Sequence, residues 1–137
     1  MLRGGLCAGL TFSDPDRDEN LRRAAEAAKL GVLSDLVVIA SFITPREKHR
    51  QLIHQIIGRQ NVSFIFLNAS LDVCQSRDVK GLYARASAGN LGQMSGISLP
   101  FEPPPAPDII LESGRDPVNE CATRLRQFAF EKIKPRS

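Results

Sequence analysis

The chain contains the run Leu36-Val37-Val38-Ile39-Ala40-Ser41, which is continuous, apolar and largely β-branched. A run of this kind is typical of a strand that is covered on both faces in a parallel sheet. Residues 62–67 and 108–112 have the same character. Helical pattern or length is found in residues 13–31, 45–57, 71–77 and 119–132. Alternating helices and buried strands predict an α/β fold with a parallel sheet and flanking helices.

The first predicted helix carries its own start signals. Ser13 is suited to the N-cap, Pro15 lies in the first turn, and the carboxylate of Asp16 follows three residues after the serine. The connections near the other end of the chain are rich in proline and glycine. Residues 98–107 contain five prolines and predict a loop or surface strap, and the composition of residues 89–96 fits a lid loop.

Composition limits the classes of function. A length of 137 residues, with 42% hydrophobic and 24% charged residues, predicts a single domain over residues 1–137 and no membrane span. The net charge of +3 is too small to indicate a nucleic-acid partner. The three cysteines are far apart and in no metal-ligand spacing, so we expect free thiols and a cytoplasmic protein.

Candidate site residues lie around the start of the first predicted helix and just after the run at residues 36–41. Thr44 comes just after that run and before Pro45, where backbone N–H groups at a helix start could receive a phosphate or sulfate, although Thr44 could instead be an N-cap only. Arg17 and Asn20 are three residues apart and share a helix face, which suits an anion and a base edge or ribose, or merely a solvated surface. Phe12 could stack on a nucleobase or act as a hydrophobic staple.

No metal site is predicted. The acidic residues at the first helix start lack the glycine and the glutamate of a calcium loop, and His49 and His54 are five residues apart, which points them to different helix faces.

Taken together in their order, several blocks of the sequence resemble the adenylylsulfate kinase family over nearly the whole chain. These blocks are Arg3-Gly4-Gly5-Leu6, Phe12-Ser13, Asp16-Arg17, Glu19-Asn20, Ser41-Phe42-Ile43-Thr44-Pro45, Lys80-Gly81-Leu82-Tyr83 and Pro100-Phe101-Glu102. The resemblance implies a P-loop kinase-like fold that transfers the γ-phosphate of ATP, with Mg²⁺, to the 3'-hydroxyl of adenylylsulfate in sulfate assimilation.

The resemblance also implies roles for individual residues. Thr44 and Lys80 match positions at the reaction centre. The adenylylsulfate contacts implied by the family pattern are Arg3, Phe12, Arg17, Asn20, Ile43, Thr44, Lys80 and Met94. Two of them depart from that pattern: Thr44 replaces a serine, and Met94 replaces an aromatic residue that would clamp the adenine together with Phe12.

The main departure concerns the donor side. No stretch matches G-x-x-x-x-G-K-[ST], so the sequence predicts no cofactor-binding loop for ATP and nearly abolished autonomous activity. In the family fold the P-loop strand would lie between the predicted strands at residues 36–41 and 62–67, whose inner edges would then lack a partner. We therefore expect a fold that misses its first strand-loop-helix unit and is N-terminally truncated relative to the family. Repacking, or a strand borrowed from a partner, are the alternatives.

Two functional hypotheses follow. The chain represents an adenylylsulfate kinase, or it is a noncatalytic, degenerate kinase that binds adenylylsulfate or pairs with a complete homologue. A homodimer is possible in either case.

Overall fold

The computed structural model describes residues 4–78, 81, 83 and 100–133. In chain order, the helices and strands of the described residues are α1 (Asp14–Leu33), α2 (Glu47–Ile57), β1 (Ile65–Leu67), α3 (Leu71–Ser76), β2 (Ile109–Leu111) and α4 (Val118–Lys132), with a short 3₁₀ turn at Arg59–Asn61. The chain is an α/β protein made of two compact units. The first is drawn from residues 1–62 and 85–103, and the second from residues 63–84 and 104–137.

Helix α1 begins as the sequence predicts. Ser13 is extended and its hydroxyl accepts a hydrogen bond from the backbone N–H of Asp16 at 3.3 Å. The carboxylate of Asp16 does not complete a reciprocal box with Ser13, because it accepts instead from the backbone N–H of Thr11 at 2.7 Å and from the Thr11 hydroxyl. The segment that precedes α1 is therefore hydrogen-bonded to the first turn of the helix.

Helices α1 and α2 pack against each other and form the first unit. The apolar side of α1 contributes Leu21 and Ala25 to the core, and Cys7 lies fully buried against the same helix with its thiol 3.9 Å from the carbonyl of Asn20. Cys7 is thus a buried cysteine that packs as a small apolar side chain. The predicted helix at residues 45–57 is confirmed, with its first helical residue at Glu47.

The second unit contains a two-stranded parallel sheet, which confirms the predicted strand direction. Ile65 pairs with Ile109 and Leu67 pairs with Leu111. Leu111 is almost completely buried, and α4 packs against its strand. The two strands have three residues each, shorter than predicted, and the predicted helices at residues 71–77 and 119–132 correspond to α3 and α4.

The predicted strand at residues 36–41 is wrong for the described structure. These residues have no assigned strand, and all of them are exposed. The backbone N–H of Leu36 bonds the carbonyl of Gly31 at 3.0 Å, and the side chain of Val38 packs against Gly31 in α1. A strand needs a neighbouring ladder to satisfy its backbone groups, and the described residues form a ladder only between β1 and β2.

Residues 100–107 contain neither helix nor strand, as predicted for the proline-rich strap. The predicted lid at residues 89–96 lies outside the described residues. All three cysteines are free thiols, in agreement with the sequence. Among the described residues, none of the helices has the length and apolar character needed to cross a bilayer.

Candidate functional site

Phe12 and Arg17 form a pair at the start of α1. The Nε group of Arg17 donates to the backbone carbonyl of Phe12 at 2.8 Å, and the guanidinium carbon lies 5.9 Å from the centre of the phenyl ring. This is within the range of a cation–π contact. Phe12 as a whole remains 52% exposed. The structure therefore presents a planar apolar surface and a positive charge side by side, which suits a ligand with an aromatic ring and an anionic group.

Asn20 lies one turn further along the same helix and is only 7% exposed. Its side-chain oxygen is buried, and no described residue donates a hydrogen bond to it. Buried polar atoms in native proteins nearly always have a partner, because the lost hydration costs about 1–3 kcal/mol. A hydroxyl or amino group of a ligand is one way to satisfy this oxygen.

The next two arginines of α1 are held by a carboxylate. Arg22 and Arg23 donate to the oxygens of Glu19 at 2.7–3.0 Å. The hydrogen bond from Arg22, followed by that from Arg23, lowers the pKa of Glu19 to about 2. Both arginines are thus engaged in a surface network on this side of α1.

Ile43 and Thr44 lie in the segment that precedes α2. The side chain of Ile43 is exposed, and that of Thr44 is half-buried. Thr44 has φ of 37°, in the left-handed region that a β-branched residue rarely adopts. The following proline disfavours helical backbone conformations at this position too. Such a conformation costs about 1–3 kcal/mol, so neighbouring groups must hold it.

The start of α2 is not an open anion site. The N-cap is Arg46, not Thr44, and the backbone N–H of Glu47 donates to the carboxylate of Glu102 at 2.7 Å. The backbone N–H of Arg46 donates to Nδ1 of His49 at 3.2 Å. These backbone groups are therefore not available to a phosphate or sulfate, which was one of the two possibilities for this segment, since a carboxylate and an imidazole already bond them.

Two ion pairs and a hydrogen bond from His49 join the beginnings of the two helices. Asp14 bonds Arg46 at 2.8 Å, and Asp18 bonds Lys48 at 2.6 Å and Nε2 of His49 at 2.8 Å. Burial raises the pKa of Asp18, but the hydrogen bonds from Lys48 and His49 outweigh it and bring the pKa below its usual value. These contacts place the Phe12–Arg17 pair and the Ile43–Thr44 segment on joined ends of α1 and α2.

The structure thus gathers part of the predicted set. Phe12, Arg17 and Asn20 lie on the first two turns of α1 or just before them, and Ile43 and Thr44 lie before α2. Arg3, Lys80 and Met94 lie outside the described residues. No group of three or more potential metal ligands occurs among the residues that the structure describes.

Sequence reasoning missed the groups that support the site. Arg50 and His49 are buried, and together with Glu102 they hold the Thr44 segment and the α2 start. The only signal in the sequence is a largely basic stretch, residues 46–50, which complements acidic residues spaced by four on the first helix. That signal does not reveal the bonds to backbone carbonyls.

Comparison with known proteins gives a consistent result. Residues 1–112 match the sequence model of the family described as adenylylsulphate kinase. An adenylyl-sulfate kinase of Paraburkholderia xenovorans is 49% identical over 91% of this chain and 69% of its own length. An adenylyl-sulfate kinase of Acaryochloris marina is 41% identical over 99% of this chain and 67% of its own length.

A solved structure, that of the Mycobacterium tuberculosis APS kinase CysC in complex with AMPPNP and APS, is similar to this fold. The TM-score is 0.81 and the sequence identity 34%, over 93% of this chain and 75% of that one.

Proposed function

This chain belongs to the adenylylsulphate kinase family, and we propose that it binds adenylylsulfate as the acceptor for a phosphoryl group from ATP. Its fold is α/β and of the P-loop kinase type. The group that would accept the phosphate is the 3'-hydroxyl of the nucleotide, and the product would be the activated sulfate donor of sulfate assimilation.

The buried oxygen of Asn20 carries this proposal. It lacks a donor among the described residues and lies one helical turn from Arg17 and its contact with the Phe12 ring. A nucleotide with a sulfated phosphate supplies what these three residues need. Its adenine can stack on Phe12, its anionic group can pair with Arg17, and an amino or hydroxyl group can donate to Asn20.

The remaining acceptor residues complete the proposed site by family resemblance. Ile43 and Thr44 would contact the nucleotide through backbone and hydroxyl groups. Arg3, Lys80 and Met94, which lie outside the described residues, would contribute a cation, a lysine near the reacting hydroxyl and a thioether beside the adenine. Thr44 and Lys80 are the proposed catalytic residues.

The donor side does not fit ATP and Mg²⁺ in these 137 residues. No stretch matches G-x-x-x-x-G-K-[ST], which would supply the backbone cradle, the lysine and the magnesium-binding hydroxyl. We therefore expect this chain by itself to bind adenylylsulfate with little or no phosphoryl transfer. The second candidate function is a noncatalytic protein that binds adenylylsulfate or pairs with a complete homologue.

Titration calorimetry of the 137-residue chain with adenylylsulfate, AMP and ATP tests the proposal. We expect adenylylsulfate to bind and AMP, which lacks the sulfate, to bind at least about 10-fold more weakly, because one charge-assisted hydrogen bond is worth about 1.5–3 kcal/mol. Arg17→Ala and Asn20→Leu should each weaken adenylylsulfate binding by about 10-fold or more. Arg126→Ala, which changes an exposed arginine of α4, is the matched control and should bind normally.

A coupled assay of phosphate transfer separates the two functional candidates. Binding with turnover supports the kinase, and binding without turnover supports the noncatalytic protein. Absence of adenylylsulfate binding, or binding that survives both site substitutions, would contradict the proposal as a whole. A cytoplasmic location and a homodimer stay predictions from the sequence.

A further inference from the structure

The backbone of Thr44 is held in its left-handed conformation by groups outside the proposed nucleotide contacts. The side chain of Arg50 is only 4% exposed, and its guanidinium has three partners. One NH₂ group donates to the carbonyl of Thr44 at 2.9 Å, and the other donates to the carbonyl of Glu102 at 2.9 Å. The Nε group donates to the carboxylate of Glu47 at 2.7 Å. A buried arginine with this geometry fixes three separate parts of the chain at once.

Glu102 closes the same arrangement from the other side. Its backbone N–H donates to the carbonyl of Pro45 at 2.8 Å, and its carboxylate accepts from the backbone N–H of Glu47 at 2.7 Å. The carbonyl groups of both Thr44 and Pro45 therefore accept hydrogen bonds, the first from Arg50 and the second from Glu102. An ordinary backbone conformation at Thr44 would not need these contacts to hold it.

We propose that Arg50 and Glu102 are positioning residues that hold Thr44 in its left-handed conformation and so set the direction of its hydroxyl. The inference rests on the proposed function in one respect only, namely that this hydroxyl faces adenylylsulfate. Arginine is required at position 50 because its planar fork reaches several acceptors in fixed directions, which the single ammonium of lysine cannot do.

A double-mutant cycle tests the holding role without any ligand. Thr44→Gly removes the steric cost of a positive φ, since glycine adopts the left-handed region freely. It relieves strain only while Arg50 imposes that conformation. We therefore compare the change in the midpoint of thermal unfolding that Thr44→Gly causes in two backgrounds. With Arg50 present, this change should be more favourable, by about 3 °C or more, than in the Arg50→Lys variant. Additive effects of the two substitutions would overturn the inference.

Binding measurements test the link to the site. Arg50→Lys should weaken adenylylsulfate binding by about 10-fold, whereas Arg59→Lys, an exposed arginine in the same unit, should leave it unchanged. If the thermal cycle shows coupling but Arg50→Lys binds adenylylsulfate as tightly as the unaltered chain, the link between Arg50 and the site is overturned. If the unaltered chain binds no adenylylsulfate, the proposed function fails, and the thermal cycle still decides whether Arg50 holds Thr44.

Arg50→Lys could unfold the chain, because it disturbs a buried cation. In that case Glu102→Ala replaces it in both experiments, since the Glu102 side chain is exposed and its loss removes only the bond to the Glu47 N–H. The same two criteria apply: coupling with Thr44→Gly and about 10-fold weaker binding support the inference, and additivity or unchanged binding overturns it.

Discussion

The two hydrogen bonds of His49 indicate the protonation state of its imidazole ring. Its Nδ1 atom accepts from the backbone N–H of Arg46, so Nδ1 carries no proton, and Nε2 donates to the carboxylate of Asp18. Burial lowers the pKa of His49 more than the hydrogen bond and charge of Asp18 raise it, and Lys48 and Arg46 lower it further. The imidazole in this fold is therefore neutral near pH 7, with its proton on Nε2.

Acid should weaken the fold through this residue. The pKa of His49 is lower in the folded chain than in the unfolded chain, where it is about 6.5. The unfolded state therefore binds more protons, and the stabilisation that is fully present above about pH 6.5 is lost as the pH falls below it. The free energy of unfolding in urea, measured from pH 7.5 to 5, should decline by about 1.4 kcal/mol for each unit of pKa depression.

Each histidine substitution gives a clear outcome, because the chain contains only two histidines. The decline between pH 7 and 5 should disappear in His49→Gln and persist in His54→Gln. A decline that persists in His49→Gln would show that another group is responsible and that His49 is not neutral by burial.

At the scale of single elements, local signals located the four predicted helices and two of the three predicted strands, and failed at residues 36–41. The start of α1 was predictable because the Ser13 cap and the proline of the first turn act within a few residues. The run at residues 36–41 has the composition of a buried strand, but a strand forms only where another one lies beside it. Composition specified a preference for extended structure in each run. A strand formed only at β1 and β2, where two distant parts of the chain pair with each other.

The same limit applies to the candidate site. Phe12, Arg17 and Asn20 were predictable because they lie on one helix start and follow a family pattern. The bonds from Arg50 to the carbonyls of Thr44 and Glu102 join positions 6 and 52 residues away, and no pattern in the sequence signals them. The left-handed backbone of Thr44 was equally hidden, because a threonine before a proline ordinarily favours extended structure.

The loops that follow β1 and β2 form a second element-scale arrangement. The carbonyl of Asn68 accepts from the backbone N–H of Gly114 at 2.9 Å and from the hydroxyl of Ser113 at 3.2 Å, and the Asn68 amide donates to Glu112 at 2.8 Å. These bonds close the carboxyl end of the small sheet. The approach is so tight that a Cβ atom on Gly114 would lie 3.0 Å from the Cα atom of Ala69.

Gly114→Ala should therefore destabilise the chain. The contact is with backbone, which cannot rotate away, so we expect a loss of about 1–3 kcal/mol in the free energy of urea unfolding. Gly5→Ala is the matched control, because a Cβ atom there meets nothing within 4 Å, and its effect should stay within about 0.5 kcal/mol. Equal effects of the two substitutions would contradict the proposed closure of the sheet end.

At the scale of the whole molecule, the largest feature that the local contacts leave unexplained is the apolar stretch at residues 36–43. Six large apolar side chains of this stretch are exposed, and Ile39 is 93% exposed. Contiguous exposed apolar surface with high β-propensity promotes association between chains. A net charge of only +3 provides little repulsion to oppose it.

This predicts self-association of the 137-residue chain that depends on concentration and on residues 36–43. Ile39→Lys should reduce the weight-average mass measured by analytical ultracentrifugation, because a charge placed on an unpaired β-prone segment opposes pairing with another chain. The free energy of unfolding of the monomer should change by less than about 0.5 kcal/mol, since the side chain has almost no contacts to lose.

Phe130→Lys separates this stretch from general surface hydrophobicity. Phe130 is also exposed, at 59%, but lies on α4 and outside any strand-like run. A charge there should leave the association of the chain nearly unchanged, because a helical backbone already satisfies its own hydrogen bonds and offers no edge for another strand. Equal reductions in mass for both variants would assign the association to apolar area alone. A loss of more than about 2 kcal/mol of stability in Ile39→Lys would instead mean that Ile39 is buried in solution.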